Sequence, residues 1–406
     1  MLKQIFLVFF LILYLYTLSF DIFLNASIRI PTPLLFGIPL IILFREKIPS
    51  FLYTKEILLF FIANFLYYVI GLSDFKSFAV NLIVIVFCAS FFNFFVANNE
   101  RRFNLAVVIF YSLLLFSTVI MLLNHVYPSQ ILALRERLTG GEIAQSPSGI
   151  TSKIFGFGYH LAPLVAFLFI SSIRYNKPLI IKGLAFMFCL ISIYFGLQRS
   201  VFVGFICSSA LFIICYYKYK SIFALGLSIF LGLMIYSFVI KDNVSQYDNI
   251  FAKNERKGDE SRTDLLTENL NIYSDYPYGL VFYGKDWDDV TRVNRVFSGG
   301  LTSHNAYLMF VTYLGPFLGV ILLFLIYKKV GGIFAKAVNN INNNKNALII
   351  CLCFSFICVS MNSLFHNSWL VNGNGPTIFL YFAILHLNYL LELSEQGEDP
   401  SLNAHA

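Results

Sequence analysis

Runs of roughly 20 apolar residues, separated by short polar connections, recur from one end of this chain to the other. A helix needs about 20 such residues to cross the hydrocarbon core of a bilayer. Twelve segments qualify: 2–20, 31–45, 54–72, 75–97, 103–124, 156–174, 178–197, 199–217, 221–240, 304–328, 347–366 and 374–392. The second is short and contains Pro33 and Pro39, which suits a tilted or re-entrant helix. Residues 1–20 read as a retained helix: the apolar run is long for a signal peptide, and Asn25-Ala26-Ser27 is a weak cleavage site. Composition agrees with this reading. The chain is 58% hydrophobic and 13% charged, whereas soluble domains are about 25% charged. A soluble globular protein, a disordered chain and a coiled coil are thereby excluded. The expected fold is an all-α polytopic membrane helical bundle of about 12 transmembrane helices.

Cation placement sets the orientation. With the N-terminus inside, the inner connections hold 15 Lys and Arg and the short outer ones hold 3 (Arg29, Lys76 and Arg199), a positive-inside pattern. This accounts for the net charge of +7 without nucleic acid as a partner, and puts both termini inside. The chain then divides into N-terminal helices 1–124, an outer loop 125–155, central helices 156–240, a large outer loop 241–303, C-terminal helices 304–392 and an inner tail 393–406. The two long loops hold the other 11 cations, among them Arg135, Arg137, Arg256, Arg262, Arg292 and Arg295. Within 241–303, Ser261-Arg262-Thr263-Asp264 reads as a capping box ahead of Leu265, Leu266, Leu270, Ile272 and Tyr273. An amphipathic helix over 262–274, lying on the outer membrane surface, is expected, ended by the turn Tyr276-Pro277-Tyr278-Gly279.

Several polar residues collect at the same face. His125, His160, His304 and His366 each fall at the outer end of an expected span, where amphipathic His commonly settles. His304 stands out in Ser303-His304-Asn305: with Ser303 as N-cap, His304 and Asn305 occupy a first helical turn, whose partial positive charge favours a neutral, base-competent imidazole and attracts phosphate. Arg199 joins two apolar runs at the outer boundary, where an Arg is either a snorkelling side chain or a functional one. Arg262 opens the amphipathic helix at headgroup height, unless it is a solvated loop charge. Arg137, Arg256, Arg292 and Arg295 are further cations of the loops, read as solvated surface or as secondary binding groups. Gly315 and Gly319 suit close helix packing. The seven Cys lie in apolar runs as small hydrophobes, and no residue cluster has metal-ligand spacing; Asp286-Trp287-Asp288-Asp289 lacks the Gly and later Glu of a calcium loop. Guanidinium forks match phosphate oxygens, preorganised Arg stabilises a departing diphosphate, and a neutral His takes a proton from an attacking hydroxyl. That set suits group transfer from a lipid-linked diphosphate to an alcohol, with no metal and no cofactor.

Three elements in order resemble the bacterial O-antigen polymerase / O-antigen ligase superfamily: Gln198-Arg199-Ser200 between two spans; Arg262 opening a loop helix that ends at Pro277-Tyr278-Gly279; and His304-Asn305 followed by Gly315. The motifs cover residues 196–319, and the architecture covers the chain. The resemblance implies an inner-membrane, multi-pass glycosyltransferase acting on the periplasmic side. Its donor would be a glycan on undecaprenyl diphosphate and its acceptor another glycan, with a chain-length regulator as a further partner. Arg262 and Arg199 would hold the diphosphate and His304 would activate the acceptor. Asn305, Arg256, Arg292, Arg295, His160 and Arg137 are secondary substrate-binding candidates, though His160 has no counterpart in the family pattern. Polymerase and ligase share donor and catalytic set. Polymerase is favoured because two lipid diphosphates would use the additional loop cations, Arg135, Arg137 and Lys153 included. A flippase or transporter would carry charges within its spans and two related halves, neither of which the sequence displays.

Overall fold

The computed structural model describes residues 2–20, 32–46, 50–139, 142–143, 145, 148–223, 226, 260–292, 295–297 and 302–396. The protein is 84% helical and has no strands among the described residues. The helices are α1 (Leu2–Ser19), α2 (Pro33–Phe44), α3 (Thr54–Asn64), α4 (Phe75–Ser90), α5 (Glu100–Val126), α6 (Pro128–Thr139), α7 (Ile154–Arg174), α8 (Leu179–Phe195), α9 (Arg199–Tyr217), α10 (Glu260–Asp275), α11 (Trp287–Thr291), α12 (Ala306–Gly315), α13 (Ile321–Asn339), α14 (Ala347–Asn362) and α15 (Gly375–Glu395). Wider π turns at Phe65–Gly71, Phe91–Val96 and Pro316–Val320 extend α3 and α4 and join α12 to α13.

Eight of these helical stretches are long and apolar enough to cross a membrane, and three shorter apolar helices accompany them. The chain is a membrane-embedded, all-α, polytopic protein. The expected spans have helical counterparts except 221–240, most of which lies outside the described residues, as does the tail from 397. The expected 304–328 span is not one unbroken helix: Gly315 (φ 72°, ψ 179°) interrupts it between α12 and the π turn that leads into α13, and α13 runs on to Asn339, so Lys328, Lys329 and Lys336 sit on a helix and not in a loop. Lys329 pairs with the buried carboxylate of Glu56 in the first turn of α3.

The residues group into two compact units. Unit 1 comprises Met1–Leu113, Ser261–Ile333 and Ser363–Ala406; unit 2 comprises Leu114–Glu260 and Phe334–Asn362. In unit 1 the almost wholly buried α15 lies in an aromatic core, with Phe379 stacked on Phe110 (4.2 Å, 20°). Within that core the His386 ring hydrogen-bonds Tyr53 Oη (2.5 Å) and Ala97 O (2.7 Å). In unit 2 the buried α14 packs against α7 and α9. Small residues make the approach possible: a Cβ on Gly204 would stand 2.9 Å from Cys358 O, and Ser208 Oγ donates to Phe354 O (2.8 Å). Each unit therefore has its own core, and the candidate site residues are held on the ends of these helices and in the segments joining them.

Candidate functional site

Unit 1 carries the Arg262 and His304 elements. The amphipathic helix expected at 262–274 is α10, Glu260–Asp275. It starts before Ser261, so Ser261 is inside the helix and the expected capping box is not its N-terminus. Arg262 lies in the first turn; its side chain, like that of Arg295, is outside the described residues, and Arg256 lies outside them entirely. Leu265, Asn269 and Ile272 are buried at helical spacing, whereas Leu266 and Leu270 are exposed. Position 262 shares the helix face of Asn269, seven residues on. Asn269 Nδ2 donates to Thr312 Oγ1 of α12 (3.1 Å), and both side chains are fully buried.

The chain then turns. Gly279 N donates to Tyr276 O (2.9 Å), and Gly279 adopts φ 95°. It lies backbone to backbone against the end of α12: a Cβ there would stand 2.6 Å from the Leu314 carbonyl carbon. Gly315, at φ 72°, meets the Tyr278 carbonyl in return, with no space for a side chain. Both positions demand glycine twice over, for backbone conformation and for contact. The expectation that Gly315 serves helix–helix packing is thus corrected: it receives a loop. Gly319, in the π turn beyond Gly315, does serve close packing: a Cβ there would stand 3.1 Å from Val311 Cα of α12.

Asp286-Trp287-Asp288-Asp289 forms the start of α11. Asp289 N donates to Asp286 Oδ1 (2.8 Å), and Asp286 N donates to Asp289 Oδ2 (3.2 Å), a reciprocal capping box. Among the described residues no three His, Cys, Asp or Glu side chains gather as a metal site. Trp287 packs on Phe297 (5.0 Å, 71°), and Arg292 is exposed.

His304 differs from expectation. Ser303 does not cap a helix containing His304. Asn305 is the N-cap of α12, its Oδ1 accepting from Leu308 N (3.0 Å), and His304 precedes the helix at φ 51°. The physical reason is that Asn bonds its own following backbone as readily as Ser does, and the left-handed residue before it redirects the chain. His304 is therefore outside the first helical turn that was expected to keep its imidazole neutral. The Oδ1 of Asn305 is likewise engaged in the cap, which leaves its amide nitrogen for any substrate. The segment is pinned from the other side: Ala306 N donates to His366 O (3.0 Å), and Asn367 Nδ2 donates to Thr302 Oγ1. His304 is half-buried and His366 buried. Fixed backbone on both flanks and partial exposure suit a proton-transfer group.

Unit 2 carries Arg199, His160 and Arg137. Arg199 is the first residue of α9 and is half-buried, after Leu197 at φ 55° and Gln198. Gln198 is buried, and its Nε2 donates to Ile154 O at the start of α7 (2.6 Å). Gly158 makes room for it: a Cβ there would stand 2.8 Å from Gln198 Oε1 and 3.3 Å from Asn362 Oδ1. Sequence reasoning quoted Gln198 only as part of a motif and did not foresee its buried role, and it missed Asn362; a Gln beside a boundary Arg and a Gly near a helix start were the available signals. His160 is buried in α7 against the Phe157 ring (6.4 Å, 89°), away from solvent in this conformation. Arg137 is exposed near the end of α6.

Arg135 overturns one expectation outright. It is not available loop charge: it is fully buried, donating through Nε to Gly149 O (2.7 Å), through Nη1 to Asn124 Oδ1 (3.3 Å), and through Nη2 to Gln145 O (3.3 Å), Thr151 O (3.4 Å) and Ser148 Oγ. Burial lowers its guanidinium from the ordinary value. A guanidinium presents five donors in a rigid plane; here Nε and Nη1 each reach one acceptor, and the two N–H groups of Nη2 are shared among three.

Arg262, Arg292, Arg295, His304 and Asn305 therefore belong to unit 1, and Arg137, His160 and Arg199 to unit 2. Compared with models of known protein families and with curated proteins, the chain matches none.

Proposed function

We propose that this protein is an integral-membrane glycosyltransferase that uses a glycan on undecaprenyl diphosphate as donor. It would act as an O-antigen-type polymerase on the periplasmic side of a bacterial inner membrane, with twelve spans and both termini inside. One observation carries the reading. Two of the three sequence elements are packed together in unit 1: α10, opened by Arg262, is bonded to α12 through Asn269 and Thr312, and its closing turn is seated by Gly279 on Gly315. The two tethers occur in the same chain order along both segments, which favours Arg262 and His304 at one end of the pair. Residues that the resemblance groups by sequence are thus also mechanically linked.

In this mechanism the acceptor hydroxyl attacks the anomeric carbon, the bond from that carbon to the diphosphate breaks, and the diphosphate leaves with the electron pair. Arg262 holds the leaving group bidentately, as guanidinium geometry allows, and Arg199 is kept from the resemblance as a second phosphate-binding candidate. His304 takes the hydroxyl proton and returns it to solvent. No metal and no cofactor is required. Arg292 and the other exposed loop cations are left to attract the second lipid diphosphate of a polymerase; Arg135 no longer contributes to that attraction.

The test is reconstitution of the purified protein in proteoliposomes with a lipid-linked repeat unit, with and without lipid A–core. A ladder of lengthened lipid-linked glycans without core supports the polymerase. Product formed only when core is present makes the protein a ligase. No release of undecaprenyl diphosphate under either condition removes the reading.

A further inference from the structure

The turn after α10 carries an aromatic cluster that the proposed transfer does not use. Tyr278, Phe282 and Tyr283 are exposed, an unusual density of large rings for a segment that the expected topology puts in water. They are not scattered. Tyr278 stacks on Phe317 (6.1 Å, 12°) and stands 6.4 Å from the Tyr283 ring, while Tyr276 meets Tyr283 edge to face (5.2 Å, 78°).

Phe317 fixes what this cluster faces. It is 62% exposed, lies in the π turn just after the break at Gly315, at the head of the span 316–339, and begins the stripe Phe317, Val320, Ile321, Phe324 and Leu325, all exposed at helical spacing. In a membrane-embedded helix such a stripe faces lipid. Tyr278 lies parallel to and offset from its first ring, so the lipid-facing surface continues from the helix onto the turn. The Gly279–Gly315 contact makes that continuity permanent, because the turn cannot swing away without breaking a backbone-to-backbone fit. Polarity then reverses abruptly: the exposed charges of Lys285, Asp286, Asp288 and Asp289 follow at once. Rings with a hydroxyl at one end, next to a charged segment and above an apolar stripe, have the composition of a membrane–water boundary.

We propose that residues 276–284 are seated in the bilayer's polar–apolar boundary at the Pro316 end of this span, with Tyr278, Phe282 and Tyr283 packed among lipids. The turn then fixes the depth of α10, whose exposed Leu266 and Leu270 add apolar surface on the same segment. This inference stands without the glycosyltransferase reading. If that reading holds, the seat also sets the height of Arg262 relative to lipid headgroups.

The test places a fluorophore at the exposed position. The native tryptophans, Trp287 and Trp369, are 7% and 1% exposed and give a shielded background. Phe282→Trp, reconstituted in vesicles of phosphatidylcholine brominated at shallow or deep acyl positions, reports depth; Tyr283→Trp provides an independent second reading. Interfacial groups sit roughly 5–10 Å into the headgroup–acyl boundary. The added emission is therefore expected to be lost mostly to shallow bromines, less to deep ones, and little to aqueous iodide. Emission lost to iodide and untouched by either bromolipid overturns the proposal. So does iodide access that is blocked by adding the oligosaccharide alone, which would make the rings a sugar-stacking shelf.

Discussion

Segments 125–155 and 241–303 look alike as sequence, since both are long, polar and rich in Arg. The described residues of each are held by opposite means. In the first, the order comes from a charge: Arg135 is buried and spent on backbone and side-chain oxygens around Gln145, Ser148, Gly149 and Thr151. In the second, the order comes from groups without charge: two glycines meet at the backbone, one buried amide reaches Thr312, and Arg292 and Lys285 remain in solvent. A loop Arg is thus evidence of a binding site only after its donors have been accounted for. Where uncharged contacts hold the loop, as around Lys285 and Arg292, the described cations stay exposed.

That contrast is open to breakage by substitution. The largest effect is expected for Gly315→Val, which drives a branched side chain into the Tyr278 carbonyl at a positive φ. The combined strain and overpacking should destabilise the protein by about 3–5 kcal/mol. Thermal unfolding in detergent measures it, and an unchanged midpoint would mean that the turn is not seated where Gly279 and Gly315 put it. Next comes Arg135→Lys. Lysine keeps the charge but offers three donors on a flexible stem, so several carbonyls lose their partner, at a cost of about 2–4 kcal/mol. Protease sensitivity between residues 140 and 150 should rise with it; resistance equal to that of the parent protein would remove the contrast between the two segments.

Thr312→Val is smaller. It keeps shape but strands the buried Asn269 amide, a loss of about 1–3 kcal/mol. The companion Asn269→Leu in the same background should recover part of it, and no coupling between the two changes would dissolve the α10–α12 tether. Arg137→Ala is expected to do least, within about 0.5 kcal/mol, because the side chain is exposed. A large loss there would show that the first segment uses both of its arginines structurally.

The apolar helices, eight of them long enough to cross a membrane among the described residues, were legible because hydropathy over 20 residues is a strong, additive signal. The 262–274 helix was legible because its apolar residues recur at helical spacing, and it forms as Glu260–Asp275. What sequence obscured is instructive. Helix α6 is short and mixes the apolar Ile131, Leu132 and Leu134 with Arg and Glu, so no run or clean periodicity announced it. The partners of Arg135 are largely backbone oxygens, which any residue type supplies, so its burial left no mark in the sequence. Ser303 and Asn305 are both good caps two residues apart, and only the backbone turn at His304 chooses between them. Gly279 and Gly315 each signalled a tight place, but one-dimensional information could not say that each was the other's reason.

The central claim is that the uncharged scaffold of unit 1 presents Arg262 and His304 to a lipid-linked diphosphate, while Arg135 serves structure alone. The most direct measurement is undecaprenyl diphosphate released from lipid-linked repeat units in proteoliposomes, normalised to folded protein, for the parent chain, His304→Ala, Arg262→Lys and Arg135→Lys. The account predicts release by the parent, none from His304→Ala, and at least a tenfold loss, about 1.4 kcal/mol, for Arg262→Lys. Arg135→Lys should match the parent per folded molecule. Parent-like release from His304→Ala and Arg262→Lys, or a tenfold loss confined to Arg135→Lys, would contradict it.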